Sequence, residues 1–119
     1  MLTFETLFEL LRKEKINPEL QKLDEEFFDQ TSQYLEEKKA VLKTEQSSDS
    51  IFSSDSKKTQ LQLENARKII KEFYEKRENK IVNLAMLSSR ANIKESGTNM
   101  LPEEKRLYNE VLELLDNYR

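Results

Sequence analysis

Residues 59–90 run for 32 positions without a glycine or a proline, and their apolar side chains recur at three- and four-residue steps. Turned by about 100° per residue, Leu63, Ala66, Ile69, Ile70, Phe73, Tyr74, Ile81, Leu84 and Leu87 gather on one broad side. Lys71, Glu72, Glu75, Glu78 and Asn79 take the other. The pattern predicts a single unbroken helix. At 1.5 Å per residue it would be roughly 48 Å long, whereas a compact chain of this size has a radius of gyration of only about 13–14 Å. Such a rod either projects from its domain or stretches the domain along itself. Its apolar side is expected to exceed what one chain covers, which predicts an oligomer.

Two cations interrupt that stripe. Arg77 falls near its centre and Lys80 within its border. An enclosed, unpaired charge is strongly destabilising, so Arg77 is expected to meet a carboxylate from another helix. The acidic group Asp24, Glu25, Glu26 and Asp29 is the natural supply. A planar guanidinium could grip one of these bidentately and fix the register of the second helix on the third. Lys80 is expected to lay its stem over the core and carry its ammonium out to water.

Three shorter helices accompany the rod. The first spans about 2–14, with Phe4, Leu7, Phe8 and Leu11 on a stripe that Leu10 widens, and stops before Asn17-Pro18. The second spans about 24–43, with Asp24 as cap and Leu23 and Phe28 spaced as a hydrophobic staple; Asn17 with Pro18 in the first turn is an alternative start. Residues 44–58, with six serines and the tetrapeptide SSDS twice, read as a mobile loop. Its serines are candidates for phosphorylation, and Ile51-Phe52 a candidate docking pair. After a loop holding Gly97, the fourth helix spans 102–118. Pro102, Glu103 and Glu104 suit its first turn, although Leu101 is a poor cap. The fold class is all-α: an elongated bundle of about four helices, in one domain, built on the long third.

Composition narrows the function. Charged residues make up 36% of the chain, yet Leu, Ile, Val and Phe still account for 32 of 119, well above the roughly 20% that marks disorder. The net charge of −3 lacks the basic footprint of a duplex-binding protein. Arg67, Lys68 and Lys71 form only a local patch. There is no cysteine and no histidine, which removes thiolate metal sites, the usual general base and the Glu-x-x-His pairs of carboxylate-bridged metal bundles. No apolar run reaches the roughly 18 residues of a membrane span, and the amino terminus lacks the basic leader of a secretory signal. A soluble, intracellular protein without catalysis, metal or cofactor is expected.

Three stretches taken together carry a family likeness: KLDEEFFDQ, the long NARKIIKEFYEKRENKIVNLA with Arg77, Lys80, Ile81 and Ala85, and LPEEKRLYNEV. In their order and spacing the chain resembles the GINS family of DNA-replication proteins, in the archaeal type whose helical domain precedes a small β-rich domain. The likeness covers nearly the whole chain. Leu101-Pro102 departs from the Thr-Pro or Ser-Pro with which the family often opens its last helix, and the β-rich domain has no counterpart before Arg119. The resemblance implies a non-catalytic scaffold that assembles with other GINS subunits as a dimer or tetramer, bridging the MCM helicase to a RecJ-like or Cdc-type companion. It implies subunit contacts through the third and fourth helices, at Ile70, Phe73, Tyr74, Ile81, Leu84, Tyr108, Val111, Leu112 and Leu115, and a place in the nucleoid or nucleus. A helical interaction module unrelated to replication is the alternative.

Overall fold

The long rod forms and sets the shape of the molecule. In the computed structural model, which describes residues 2–47, 54–92 and 99–119, four helices follow one another. They are α1 (Phe4–Ile16), α2 (Phe27–Ser47), α3 (Ser54–Ala91) and α4 (Pro102–Tyr118), with no strand among the described residues. The 38 residues of α3 make a rod of roughly 57 Å. The molecule measures 63 × 25 × 21 Å with a radius of gyration of 18.5 Å. The domain is therefore elongated along α3.

Every other helix packs on α3, and none of the three packs closely on another. The contacts fix their directions. Leu7 joins Ala66 and Ile70, Leu11 joins Phe73, and Glu14 reaches Arg77, so α1 runs parallel to α3. In α2, Phe27 lies against Phe73, Thr31 against Tyr74 and Tyr34 beside Ala66, so α2 runs antiparallel. In α4, Glu104 meets Arg77 and Asp116 meets Ser89, so α4 again runs parallel. One half of the rod thus carries two helices and the other half only α4. The halves meet at Arg77.

Three apolar clusters line the rod. Leu7, Tyr34, Ala66 and Ile70 form one near its start. Leu11, Phe27, Phe73 and Leu101 form the next, with the Phe27 and Phe73 rings 5.2 Å apart. Leu20, Ile81, Ala85, Met100 and Tyr108 form the third, beneath α4. Ala66 and Ala85 are wholly buried, because only a small side chain lets a second helix come this close.

The helix ends differ from the sequence expectation in informative ways. Thr3 caps α1 by accepting from the Thr6 amide at 3.1 Å, and α1 continues to Ile16 rather than ending at 14. Asp24 does accept from the Glu26 amide at 2.9 Å, but regular helix begins only at Phe27. The expected loop at 44–58 is shorter, because α2 continues to Ser47 and α3 begins at Ser54. Gln, Glu and Lys in these flanks favour helix, and Thr59 Oγ1 donates to Glu45 across the pair at 3.0 Å. Ile51-Phe52, Gly97 and most of the first SSDS lie outside the described residues, whereas Ser54, Asp55 and Ser56 of the second SSDS belong to α3. At α4, Leu101 is buried with Phe73, and Glu104 supplies the missing cap chemistry by accepting from the Leu101 amide at 2.9 Å.

Phe73, at 2% exposure, touches α1, α2 and the start of α4 through its cluster. Phe73→Ala is expected to lower stability by about 3–5 kcal/mol in urea unfolding. Leu61→Ala, on the solvated side at 58% exposure, should stay within about 0.5 kcal/mol of the parent.

Candidate functional site

The chemistry of this protein is concentrated where the halves meet. Arg77 is 1% exposed, and its Cζ lies 5.8 Å from the Phe73 ring centroid. The guanidinium makes five hydrogen bonds, as many as it has N–H groups. Nε and Nη2 grip the Glu104 carboxylate at 2.7 and 2.6 Å. Nη1 donates to Glu14 Oε1 at 2.8 Å and to the Gln21 carbonyl at 2.9 Å, and Nη2 also donates to the Asn99 carbonyl at 3.1 Å. The bidentate grip on Glu104 is the strongest geometry a guanidinium can make with a carboxylate.

Lys80 completes the cluster one turn along α3. Its ammonium donates to Glu14 Oε2, to the Glu14 carbonyl at 2.7 Å and to the Glu19 carbonyl at 2.9 Å. All three of its N–H groups are used, and its side chain is 17% exposed. Lys80 does not snorkel, contrary to expectation. A carboxylate lies within its reach at the end of α1, and the unpaired carbonyls there favour a cation. Gln21 Nε2 closes the remaining side by donating to Glu14 Oε1 at 3.0 Å and to the Leu10 carbonyl at 2.7 Å.

The carboxylates that hold Arg77 are therefore Glu14 and Glu104, and not Asp24, Glu25 or Glu26, which are exposed at the start of α2. The sequence did carry the signal. Glu14 follows Leu7 and Leu11 on the apolar side of α1, and Glu104 precedes Tyr108 by one turn. Both are anions on apolar stripes, the counterpart of the cations on α3. Asn99 carries no comparable signal. It sits at φ 64°, in the left-handed region that asparagine tolerates. Its carbonyl meets Arg77, and its Nδ2 donates to the Leu20 carbonyl at 3.1 Å.

Electrostatics follow from this geometry. Burial alone would push the Glu14 pKa up, but hydrogen bonds from Lys80, Gln21 and Arg77 outweigh it and hold the carboxyl below the usual range. Burial alone would likewise lower Arg77, yet Glu104 and Glu14 raise it above an ordinary arginine. Two cations and two anions balance, with each buried charge compensated.

The residues expected at a subunit interface divide in two. Ile70, Phe73, Ile81 and Tyr108 are between 1% and 6% exposed. They are core, covered by α1, α2 and α4 of the same chain, and cannot face a partner. Tyr74 is half-buried among Phe27, Phe28 and Phe73, its hydroxyl 2.8 Å from that of Thr31. Leu84, Val111, Leu112 and Leu115 are half-buried around the third cluster. The apolar side chains left open at this end are Leu87, Leu114 and Tyr118, at 61%, 70% and 89% exposure. Polar bonds nevertheless seat α4 on α3, from Tyr108 to Ser88 at 2.8 Å and through Ser89 to Asp116 and Arg119 at 2.8 and 2.7 Å.

Among the described residues no group of three or more metal-capable side chains comes together, and no helix is long and apolar enough to cross a membrane. No protein-family model matches the chain, and comparison with curated proteins finds no significant relative.

Glu14 stabilises the fold in its charged form. Its folded pKa lies below the unfolded value of about 4.3, so its contribution is complete above that pH and is lost as the pH falls through the folded value. Glu14→Gln is expected to cost about 3 kcal/mol at pH 7, since it breaks a buried pair. It should also flatten the acid limb of the stability curve, as read by urea unfolding between pH 7 and pH 2.5. An unchanged acid limb would remove Glu14 from this role.

Proposed function

We propose that this protein is a non-catalytic assembly module that receives a partner protein on the end of the molecule built by α3 and α4. The observation that carries this reading is the uneven cover of the rod. Around Phe73, α3 has the helices α1 and α2 against it; beyond Arg77, among the described residues, the one helix against it is α4, with Leu20 and Met100 filling in beneath. Two packed helices cannot hide each other's stripes completely. Leu87, Leu114 and Tyr118 stay open there, and Leu84, Val111 and Leu115 are only half covered. The buried charges support the same reading, because each is spent on holding helices together.

The resemblance to GINS gives this surface its specific occupants: other GINS subunits in a dimer or tetramer, and through them the MCM helicase and its RecJ-like or Cdc-type companion, acting inside the cell in DNA replication. Arg77, Lys80, Ile81 and Ala85, which carry the likeness in the long helix, all lie at or beyond the junction of the halves. An interaction module outside replication would use the same surface, so the partner's identity separates the two readings.

Leu87→Glu with Leu114→Glu is expected to leave stability within about 0.5 kcal/mol per site, as both side chains face solvent, and to weaken assembly at least tenfold. Light scattering should give a mass above one chain for the parent, alone or mixed with GINS subunits, and one chain for the variant. A strict monomer at high micromolar concentration, with and without those subunits, contradicts the assembly reading. Assembly alone but not with GINS or MCM proteins leaves the general module.

A further inference from the structure

We infer that Arg77 couples the two halves of the molecule, so that α1 and α4 open together rather than one at a time. Close helix-on-helix packing between α1 and α4 is absent among the described residues. What they share is one guanidinium, with Glu14 from α1 on Nη1 and Glu104 from α4 on Nε and Nη2. Lifting α4 away strips Arg77 of its bidentate partner and leaves an enclosed cation leaning on Glu14 alone. Lifting α1 strips both Arg77 and Lys80 of the Glu14 carboxylate. Either opening exposes the cluster to water, and once water enters, the remaining pair loses most of its strength. The second helix is then held by little beyond its own apolar contacts. Leu11 and Leu101 lie in one cluster around Phe73 and add an apolar share to the same junction.

The second helix, α2, stands outside the charge cluster, although Phe27 shares the Phe73 cluster with Leu11 and Leu101, and Tyr34 shares the first cluster with Leu7. α2 is held by Phe27, Phe28, Thr31 and Tyr34 against the first half of α3, and none of its side chains bonds to Arg77 or Lys80. The charge cluster therefore joins α1, α4 and the middle of α3 in one cooperative unit, to which α2 is tied only by apolar contacts and the Thr31–Tyr74 hydrogen bond. A partner that steadies the α4 end would, through Arg77, also steady α1 at the far half. The coupling itself does not depend on any partner.

Native-state hydrogen exchange at residue resolution, with denaturant rising below the unfolding transition, tests this on the whole chain. The slowest amides of α1, around Leu11, and of α4, around Tyr108, are expected to share one opening with a common denaturant slope. Those of α2 should exchange through a different one. Glu104→Gln, a change in α4, is expected to speed the α1 amides at least tenfold, matching its effect on α4. Leu115→Ala, remote from the guanidinium, should speed α4 alone. The inference fails if Glu104→Gln affects only α4, if all three helices exchange through one global opening, or if Leu115→Ala moves α1 as much as Glu104→Gln does. Should Glu104→Gln not fold, Arg77→Lys keeps the charge but loses the fork. In that variant α1 and α4 are expected to exchange at separate rates, and a retained common opening overturns the coupling.

Discussion

A cation fixed on the apolar side of an unbroken helix is the constraint around which the rest of this structure is arranged. Arg77 cannot move, because α3 continues in both directions from it. It cannot be left dry and unpaired either, because the loss of hydration is repaid only when each N–H finds an oxygen. Five oxygens must therefore converge on one point of the rod. They come from a helix that ends there, a helix that begins there and two stretches of irregular chain, at Gln21 and Asn99. The left-handed backbone of Asn99 and the placing of the Gln21 carbonyl are part of that convergence. So is the parallel run of both α1 and α4 along α3, which delivers Glu14 late in one helix and Glu104 early in the other.

The architecture was legible in the sequence because it depends on local terms. Period, glycine and proline positions and first-turn acids located four helices and the long third one, and the mismatch between helix length and compact size announced an elongated body. The site was only half legible. Arg77 and Lys80 stood out as cations on an apolar stripe, but their partners depend on which helices lie beside α3 and in which direction, and no local pattern states that. Abundance of acid around Asp24 misled, since Asp24 instead accepts at the entry of α2 and its acidic neighbours stay exposed. Applying the stripe test to every helix would have found Glu14 and Glu104, because buried charges must occur in opposite pairs. Core and interface were confused for a related reason. One apolar stripe reads the same whether its own chain or a neighbour covers it. Phe73 and Ile81 proved to be core only once α1, α2 and α4 were in place.

The asymmetry of the body gives the open side chains their meaning. Singly exposed apolar residues are ordinary, and Leu61 on the solvated side of α3 needs no explanation. Phe4, Phe8, Ile16 and Val41 are likewise open on α1 and α2, while Leu87, Leu114 and Tyr118 are open at the end where cover falls from two helices to one. There the rod continues at full length while its packing thins, and polar bonds at Ser88 and Ser89 take over part of the seating of α4. Such an end leaves apolar surface open, which is what the proposed partner would cover.

A purely apolar junction could bury as much surface as Arg77, Lys80, Glu14 and Glu104 do, and replacing buried ion networks with well-packed hydrophobes is often neutral or stabilising. What an apolar junction lacks is a unique position. Stripes that repeat every three to four residues look alike after a slip of one turn, about 5.4 Å along the axis. Leu7 and Leu11, or Leu107 and Val111, would meet a similar surface in either register. The guanidinium admits one arrangement only. A slip by a turn would carry Glu14 and Glu104 away from Arg77 and leave charges of both signs buried alone. Among the described residues the helices pack on α3 and not closely on one another, so sliding is opposed chiefly by specific polar contacts: the charge cluster for α1, and the cluster together with Tyr108–Ser88 and Ser89–Asp116 for α4. The cluster's contribution is therefore better understood as fixing where α1 and α4 sit along the rod than as a net gain in stability.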